Sequence, residues 1–202
     1  MTHGHNYQRA EFAGSFARAQ QLPPDQGIEV AFAGRSNAGK SSALNALTGR
    51  RGLARTSRTP GRTQLINLFA LGGDVRLVDL PGYGYAQVPE AVRRGWTRLL
   101  GDYLARRQAL RGLVLVVDAR RGLTRLDWTL LEQLGERPLA LHVLLTKSDK
   151  LGRGPARQAL ERARQELEDA GIEASLQCFS ATRGEGVEDL QGLLDEWLAD
   201  AA

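Results

Sequence analysis

Cysteine and long hydrophobic runs are nearly absent from this sequence, and each absence excludes a class of protein. Cys178 is the single cysteine in 202 residues, so no disulfide can form within the chain. Such a chain suits a reducing compartment, where a lone cysteine in a strand serves as a small apolar core residue. No apolar run reaches the roughly 18 residues that cross a membrane, and residues 1–9 are polar, unlike a secretory signal. We therefore expect a cytoplasmic protein with no membrane partner.

Lysine is also scarce, and its positions are informative. Lys40, Lys147 and Lys150 are the only lysines among 27 basic residues, and the other 24 are arginines. The two residue types are not interchangeable, because the lysine ammonium is a compact mobile charge and the guanidinium is a planar fork. Two of the three lysines fall in the motifs described below, which favours a nucleotide-binding interpretation.

Apolar runs alternate with amphipathic segments, which is typical of an α/β fold with a parallel sheet and helices on both faces. Strands are predicted at 28–33, 65–70, 75–79, 113–118, 139–145 and 174–179. Helices are predicted at 41–47, 89–109, 125–134, 155–170 and 187–198. A glycine-rich turn at 72–74 makes one antiparallel hairpin of 65–79. Residues 1–27 are predicted to be a leader packed on the domain as an edge strand or a helix, and 28–202 to form the domain itself.

The segment from Gly34 to Ser41 fits G-x-x-x-x-G-K-[ST], the phosphate-binding loop. It follows a buried strand and opens a helix, which is the context that the motif requires. The backbone N–H groups of such a loop surround a β-phosphate at the positive end of the helix. Lys40 supplies a charge between the β- and γ-phosphates, and the Ser41 hydroxyl ligates Mg²⁺. The residues expected to contact the phosphates are Gly34, Arg35, Ser36, Asn37, Ala38, Gly39, Lys40 and Ser41.

A second motif, Asp79-Leu80-Pro81-Gly82, follows the predicted strand at 75–79. Asp79 is placed to hold the Mg²⁺ shell through a water molecule, and the Gly82 N–H can bond a γ-phosphate oxygen. The D-x-x-G pattern alone is common. Its position after a strand and downstream of a phosphate loop favours a functional interpretation. We call the loop that begins at Asp79 the second switch, because it would respond to hydrolysis of the nucleotide.

Thr146-Lys147-Ser148-Asp149 is the candidate for selecting the base, and it follows another predicted strand. The Asp149 carboxylate can accept hydrogen bonds from the ring N–H and the amino group of guanine, whereas adenine presents the wrong pattern. The Lys147 stem would lie along the base. The segment resembles the N/T-K-x-D element of guanine-nucleotide-binding domains, and Thr146 in place of asparagine loses one side-chain amide. Phe179-Ser180-Ala181 resembles the S-A element that closes over the base.

Residues 49–63 form a loop without periodicity, and loops of this length are usually functional or disordered. A threonine hydroxyl in this first switch would complete the Mg²⁺ shell. Thr63, just before the strand at 65–70, is our choice, and Thr59 is the alternative. Neighbouring residues expected to contact the nucleotide are Gly61, Arg62, Gln64 and Leu65.

Taken together, these motifs resemble a translation-factor-related P-loop GTPase, and three longer strings resemble the EngB family in particular. The strings are GRSNAGKSS, TPGRTQLIN and LVDLPGYGYA, and the resemblance runs from about residue 28 to the end of the chain. It implies a three-layer domain that is a cytoplasmic, Mg²⁺-dependent GTPase, slow in hydrolysis, and needed for large ribosomal subunit assembly. It further implies a link to cell division and septation. We expect the partners to be GTP and GDP, and the large ribosomal subunit or its precursor with its rRNA and ribosomal proteins. We expect no DNA partner and a monomeric state.

One position departs from signalling GTPases. They place a glutamine just after D-x-x-G to orient the attacking water, and here that residue is Tyr83. By resemblance to potassium-activated GTPases, Asn37 would bind K⁺ and act with Lys40, Thr63 and Gly82 in catalysis. The alternative is that Asn37 shapes the loop, as asparagine often does.

The arginines allow two interpretations. The loop at 49–63 holds five of them and no acidic residue, namely Arg50, Arg51, Arg55, Arg58 and Arg62. A second group lies in or next to the predicted helix at 89–109, namely Arg93, Arg94, Arg98, Arg106, Arg107 and Arg111. Both groups suit an RNA phosphate surface, and both are also compatible with an ordinary solvated face. The other functional hypotheses are a GTP-regulated signalling switch that binds a protein partner, and an ATP-dependent enzyme.

Overall fold

A computed structural model describes residues 4–54, 65–84, 90–135 and 137–199. The strands are β1 (Glu11–Phe16), β2 (Ile28–Gly34), β3 (Ile66–Gly72), β4 (Val75–Asp79), β5 (Leu110–Asp118), β6 (Ala140–Thr146) and β7 (Ser175–Cys178). The helices are α1 (Lys40–Thr48), α2 (Glu90–Arg106), α3 (Arg125–Leu134), α4 (Arg153–Asp169) and α5 (Val187–Ala199).

The strands form one sheet in the order β1-β3-β4-β2-β5-β6-β7. β4, β2, β5, β6 and β7 are parallel, and the predicted hairpin is present as the antiparallel pair of β3 and β4. The mixed α/β fold is confirmed. Of the two forms predicted for the leader, the structure has the edge strand, because β1 pairs antiparallel with β3.

Side chains alternate across the central strands and build two cores. Ala31 and Ala33 of β2 face the core covered by α2, α3 and α4. Val30 and Phe32 face the core covered by α1 and α5. A helix layer therefore lies on each face of the sheet, as the alternating pattern predicts. Within the described residues, none of the helices combines the length and the apolar character needed to cross a bilayer.

α2 ends at Arg106, three residues earlier than the predicted 109, and a buried ion pair of Arg107 lies between it and the start of β5 at Leu110. Arg107 donates from Nε and Nη2 to the two carboxylate oxygens of Glu29, at 2.9 and 2.6 Å. Tyr103 of α2 also donates to Glu29, whose side chain is 0% exposed, at 2.8 Å. The pair clamps the C-terminal end of α2 to β2. Arg107 is thus a core residue, which corrects its assignment to a solvated or RNA-binding group.

The leader contacts α5 and the loop after α1. The Tyr7 hydroxyl and the His5 N–H both donate to Asp195 of α5 at 2.9 Å. Arg50 donates to the carbonyl oxygen of Ala10, so this loop arginine serves the packing of the leader. The division into a leader at 1–27 and a domain at 28–202 stays a prediction.

Candidate functional site

The predicted motifs meet along one edge of the sheet. Gly34, Asp79, Asp118 and Thr146 end the parallel strands β2, β4, β5 and β6. The carboxyl ends of parallel strands share an edge, which is where open α/β sheets bind ligands. Gly34 is necessary there because a Cβ would lie 2.5 Å from the carbonyl oxygen of Val116 in β5.

The phosphate loop connects β2 to the N-terminus of α1, as predicted. Gly39 precedes α1 in a left-handed conformation, with φ of 107°, and a Cβ there would lie 3.2 Å from the Thr146 hydroxyl oxygen. Asn37 also has positive φ, at 63°, and its side chain is exposed. Asparagine adopts the left-handed conformation at a lower cost in free energy than most other residue types, so Asn37 has a conformational role.

Lys40 and Asp79 form a buried ion pair at the mouth of this loop. Asn67 of β3 donates to the other Asp79 oxygen at 3.4 Å, and Ser41 follows Lys40 in the first turn of α1. Across the described ranges, no cluster of three or more acidic, histidine or cysteine residues could hold a metal. One hydroxyl and one carboxylate suit the type of Mg²⁺ site that substrate phosphates complete, so the residues present fit this ion.

The second switch packs directly on the phosphate loop. The Ser36 N–H donates to the carbonyl oxygen of Tyr83 at 2.8 Å, and the Leu80 N–H donates to Phe32 at 3.0 Å. A Cβ on Gly82 would lie 3.4 Å from the Cα and N atoms of Ser36. Pro81 lies between these contacts and is buried. A shift of either loop would therefore move the other.

Tyr83, in the position after D-x-x-G, faces α3. Its hydroxyl donates to Asp127 at 2.6 Å, and Thr124 donates to the other Asp127 oxygen from its N–H at 2.8 Å and its hydroxyl at 2.6 Å. Burial, and then the Asp127 charge, raises the pKa of Tyr83 well above its ordinary value, so the phenol stays neutral. Sequence reasoning missed Asp127. The Thr-x-x-Asp capping pattern was visible, but its contact with Tyr83 was not.

Thr146 joins the base-selecting segment to the phosphate loop. Its hydroxyl hydrogen-bonds the Ala38 carbonyl oxygen and lies 3.0 Å from that of Val117. The sequence interpretation counted only the lost amide of asparagine at this position. The structure adds that the threonine hydroxyl supports the loop.

Lys147 bridges three elements of the site. Its ammonium donates to the Asn37 carbonyl oxygen at 2.5 Å and to Asp118 at 3.0 Å. Arg120 donates to the same carboxylate from Nε and Nη2, at 2.9 and 2.7 Å. Although burial opposes the effect, hydrogen bonds from Arg120 and Lys147 hold the pKa of Asp118 far below its usual range. Asp118 was also missed, although it ends a strand just as Asp79 does.

Asp149 lies beside the S-A element. The Ser180 hydroxyl donates to Asp149 at 2.9 Å, and the Lys150 ammonium lies 3.2 Å from its other oxygen. The Ser180 hydrogen bond, more than the Lys150 charge, lowers the pKa of Asp149, so the carboxylate is ionised at neutral pH. The Ser148 N–H donates to the Phe179 carbonyl oxygen at 3.2 Å, which joins the two segments.

An open cavity of about 460 Å³ separates α1 from the S-A element. Its lining includes Ser42, Asn45, Arg51, Ala181 and Thr182, and sequence reasoning named only Ala181 as a contact. Ser42 ends the string GRSNAGKSS and Thr182 directly follows the S-A element, so this cavity borders two predicted motifs.

The first switch is described only at its two ends. Thr59, Gly61, Arg62, Thr63 and Gln64 lie outside the described residues, so the choice between Thr59 and Thr63 stays a prediction. Leu65 is half-buried just before β3. At the other end, Asn45 of α1 holds Ala54 by two hydrogen bonds, its Nδ2 donating at 2.9 Å and its Oδ1 accepting at 2.8 Å.

Comparison with known families gives one consistent result. A family model described as "50S ribosome-binding GTPase" matches residues 29–147. A Nitrosococcus oceani protein named "Probable GTP-binding protein EngB" is 57% identical over 192 residues, covering 95% of this chain and 96% of that protein. An Escherichia coli protein of the same name is 50% identical over 195 residues, covering 96% and 93%.

Solved structures give the same fold. A crystal structure of a probable GTP-binding protein engB superposes with a TM-score of 0.68 at 24% identity, covering 86% of this chain and 100% of the other. Era in complex with MgGDPNP and a 16S ribosomal RNA segment has a TM-score of 0.65 at 18% identity, covering 85% and 57%. At these identities the likeness establishes the architecture of the chain alone.

Proposed function

Because this chain belongs to the EngB family of GTP-binding proteins and is a GTPase, we propose that it assists assembly of the large ribosomal subunit. In this proposal the protein acts in the cytoplasm as a monomer without a DNA or membrane partner. Its hydrolysis is slow, and normal cell division and septation depend on its role in ribosome biogenesis. The support for these finer points is the family resemblance of its motifs.

The observation that carries the nucleotide part of the proposal is the meeting of two lysine–carboxylate clusters at one sheet edge. Lys40 paired with Asp79 suits a triphosphate. Lys147, two residues before the Asp149 that Ser180 holds, is paired with Asp118 and suits a purine base. We propose that backbone N–H groups of the phosphate loop hold the β-phosphate and that Lys40 bridges to the γ-phosphate. Ser41 and Thr63 would hold Mg²⁺ directly and Asp79 through water, and the ion would neutralise the charge of the phosphates.

Guanine is the base that the site favours. Asp149 is ionised and held by Ser180, so it presents two acceptor oxygens in a fixed place. Guanine offers two adjacent donors to such a carboxylate, and adenine does not. The S-A element, with Phe179, Ser180 and Ala181, would close over the base from the other side.

The partner proposal rests on charge and on the family. Relatives covered by the matching family model are described as binding the 50S ribosome, and the Era structure contains an rRNA segment. The first switch carries four arginines besides Arg50, and more follow the second switch. If the γ-phosphate orders both switches through Thr63 and Gly82, phosphate contacts with RNA form well only in the GTP state.

We expect large-subunit binding to depend on the nucleotide. In sedimentation with purified subunits, the protein loaded with a non-hydrolysable GTP analogue should bind the subunit about 5- to 150-fold tighter than the protein loaded with GDP, which is the usual range of such coupling. Binding should fall steeply with salt, because each neutralised phosphate releases counterions. Arg51, Arg55 and Arg58 replaced by Glu should weaken subunit binding and leave GTP affinity nearly unchanged. Equal binding with both nucleotides and at all salt concentrations would contradict the proposal.

Hydrolysis is proposed to rely on a monovalent cation held partly by Asn37, because Tyr83 is committed to Asp127 and cannot orient water as glutamine does. K⁺ should then raise the hydrolysis rate over Na⁺ by about tenfold or more, as other electrostatic transition-state contacts do. The measurement is steady-state phosphate release in matched salts.

Two variants separate the cation role of Asn37 from its conformational one. Asn37→Gly keeps the left-handed backbone and removes the side chain, whereas Asn37→Ala also adds backbone strain. Loss of the K⁺ effect in both variants supports ligation. A K⁺ effect that survives in Asn37→Gly, or equal rates of the wild type in the two salts, would reject it.

A further inference from the structure

A cavity of about 340 Å³ lies between the phosphate loop and the loop that joins β5 to α3. We name it the β5–α3 cavity. The phosphate loop lines one side of it, and the other lining residues that matter here are Gly84, Asp118, Arg121, Asp127 and Lys147. The cavity therefore shares Lys147 and the phosphate loop with the proposed nucleotide site, but Asp149, Ser180 and Ala181 do not line it.

The acidic residues of the cavity are already satisfied. Asp118 is hydrogen-bonded by both Arg120 and Lys147, so its charge is compensated and the three side chains together remain positive. Asp127 accepts from Tyr83 and from Thr124, and it is almost fully buried. Neither carboxylate is therefore free to bind a cation or a basic side chain.

The other arginines of the cavity have no such carboxylate partner among the described residues. Arg121 lines the cavity and is exposed, and it forms no ion pair with any described residue. The Nε atom of Arg35 is buried and, over the described part of the chain, lacks a hydrogen-bond partner. It lies against Gly84, where a Cβ would be 3.2 Å away. The cavity lining thus contains one arginine whose Nε has no described partner and a second arginine that is exposed.

Two further arginines lie next to residues that line the cavity. Arg125 begins α3, is exposed, and forms no ion pair among the described side chains. Arg162 of α4 approaches the same loop, because its Nη2 would lie 3.1 Å from a Cβ on Gly122. Its one ion pair, with Glu166, is long at 3.9 Å and exposed, and such pairs contribute little.

We propose that the β5–α3 cavity and the arginines beside it bind successive phosphates of the RNA backbone. The inference rests on the proposed ribosomal function and identifies a part of the RNA-binding surface that is centred on the loop between β5 and α3. A planar guanidinium fork matches a phosphate bidentately, and successive RNA phosphates can reach Arg121, Arg125 and Arg162 beside one cavity. A protein partner is less well suited, since protein interface cores are depleted of charge and Leu126 is the one large apolar side chain exposed beside these arginines.

The experiment uses a double variant, Arg121→Glu with Arg125→Glu, in the full-length chain bound to a non-hydrolysable GTP analogue. The protein carries the fluorophore, and its anisotropy is followed as large-subunit ribosomal RNA is added over a salt series. Loss of two phosphate contacts should weaken binding at least about tenfold and lower the slope of log affinity against log salt by about 2. Neither residue is among the proposed nucleotide contacts, so GTP affinity should stay within about twofold of wild type.

The control variant is Arg9→Glu with Arg157→Glu, which makes the same change in net charge. Both residues are exposed, neither lines the cavity, and neither forms an ion pair among the described residues. A general charge effect predicts equal losses in the two double variants and would overturn the proposal. Wild-type-like RNA binding by the cavity variant would overturn it as well.

Two more outcomes separate this inference from the proposed function. If the wild type binds neither ribosomal RNA nor the subunit, the proposed function fails and this inference with it. If poly-glutamate competes as well as RNA and the cavity variant loses only poly-glutamate binding, the cavity serves an acidic protein instead. RNA binding that the cavity variant alone loses, with nucleotide binding intact, supports the proposal.

Discussion

Asp149→Asn is expected to weaken GTP binding about 10- to 100-fold and to turn the preference toward xanthosine triphosphate. The Asp149 carboxylate offers two acceptors to the two donors of guanine, whereas the amide offers one acceptor and one donor. Xanthine has an oxygen where guanine has the amino group, so the new amide donor finds a partner. Because Ser180 can still donate to the amide oxygen, the position of the side chain should be retained.

Titration of the protein with labelled GTP, XTP and ATP measures this change. Asp74→Asn is the matched control, because the Asp74 side chain is 75% exposed in the turn after β3 and pairs with Arg76 only at 3.8 Å. That control should bind all three nucleotides as the wild type does. Unchanged GTP affinity in Asp149→Asn would remove Asp149 from the base site.

Lys40→Ala should cost at least about 100-fold in GTP affinity, because one ammonium is proposed to hold two phosphates and each charged hydrogen bond contributes about 1.5–3 kcal/mol. It would also leave Asp79 buried without its ion-pair partner, which adds repulsion toward the phosphates. Turnover should fall below detection in either K⁺ or Na⁺. Calorimetric titration with GTP and a phosphate-release assay measure the two effects.

Lys150→Ala is the matched control for charge. The Lys150 side chain is 59% exposed and pairs with Asp149 at the rim, and such pairs contribute about 0–1 kcal/mol, so its GTP affinity should change less than about fivefold. Thermal unfolding of both variants shows whether either loses its fold. Equal losses in the two variants would mean that net charge, and not the position of Lys40, governs binding.

The local parts of this molecule were predictable, and the long-range contacts were not. The hairpin at 65–79 and the strand–loop–helix around Lys40 follow from turn residues and hydrophobic periodicity over a few neighbours. The leader allowed two forms, because Phe12 and Phe16 are separated by small residues that suit either. Pairing with β3, far away along the chain, selects the strand.

Arg107, Asp118 and Asp127 show the same limit in the functional regions. Arg107 was grouped with surface arginines because its neighbours along the chain are basic, and only the fold brings it to Glu29. Asp118 lies outside any short motif, and its contact with Lys147 spans two strands. Asp127 contacts Tyr83 over 44 residues of chain. Motifs of a few residues can be recognised from their spacing along the chain, whereas these contacts depend on how strands and helices are arranged.

The ion pair between Glu29 and Arg107 fixes the C-terminal end of α2 to the sheet and leaves the other end of the helix able to move. Removing one partner of a buried pair costs about 3–5 kcal/mol, so motion that leaves the pair intact is strongly favoured. Such motion swings α2 about its C-terminal end. For a helix of 17 residues, about 25 Å long, a tilt of about 10° moves the far end by about 4 Å. The far end is the one that follows the second switch, so a displacement of that switch would tilt α2 while its C-terminal end stays fixed to β2.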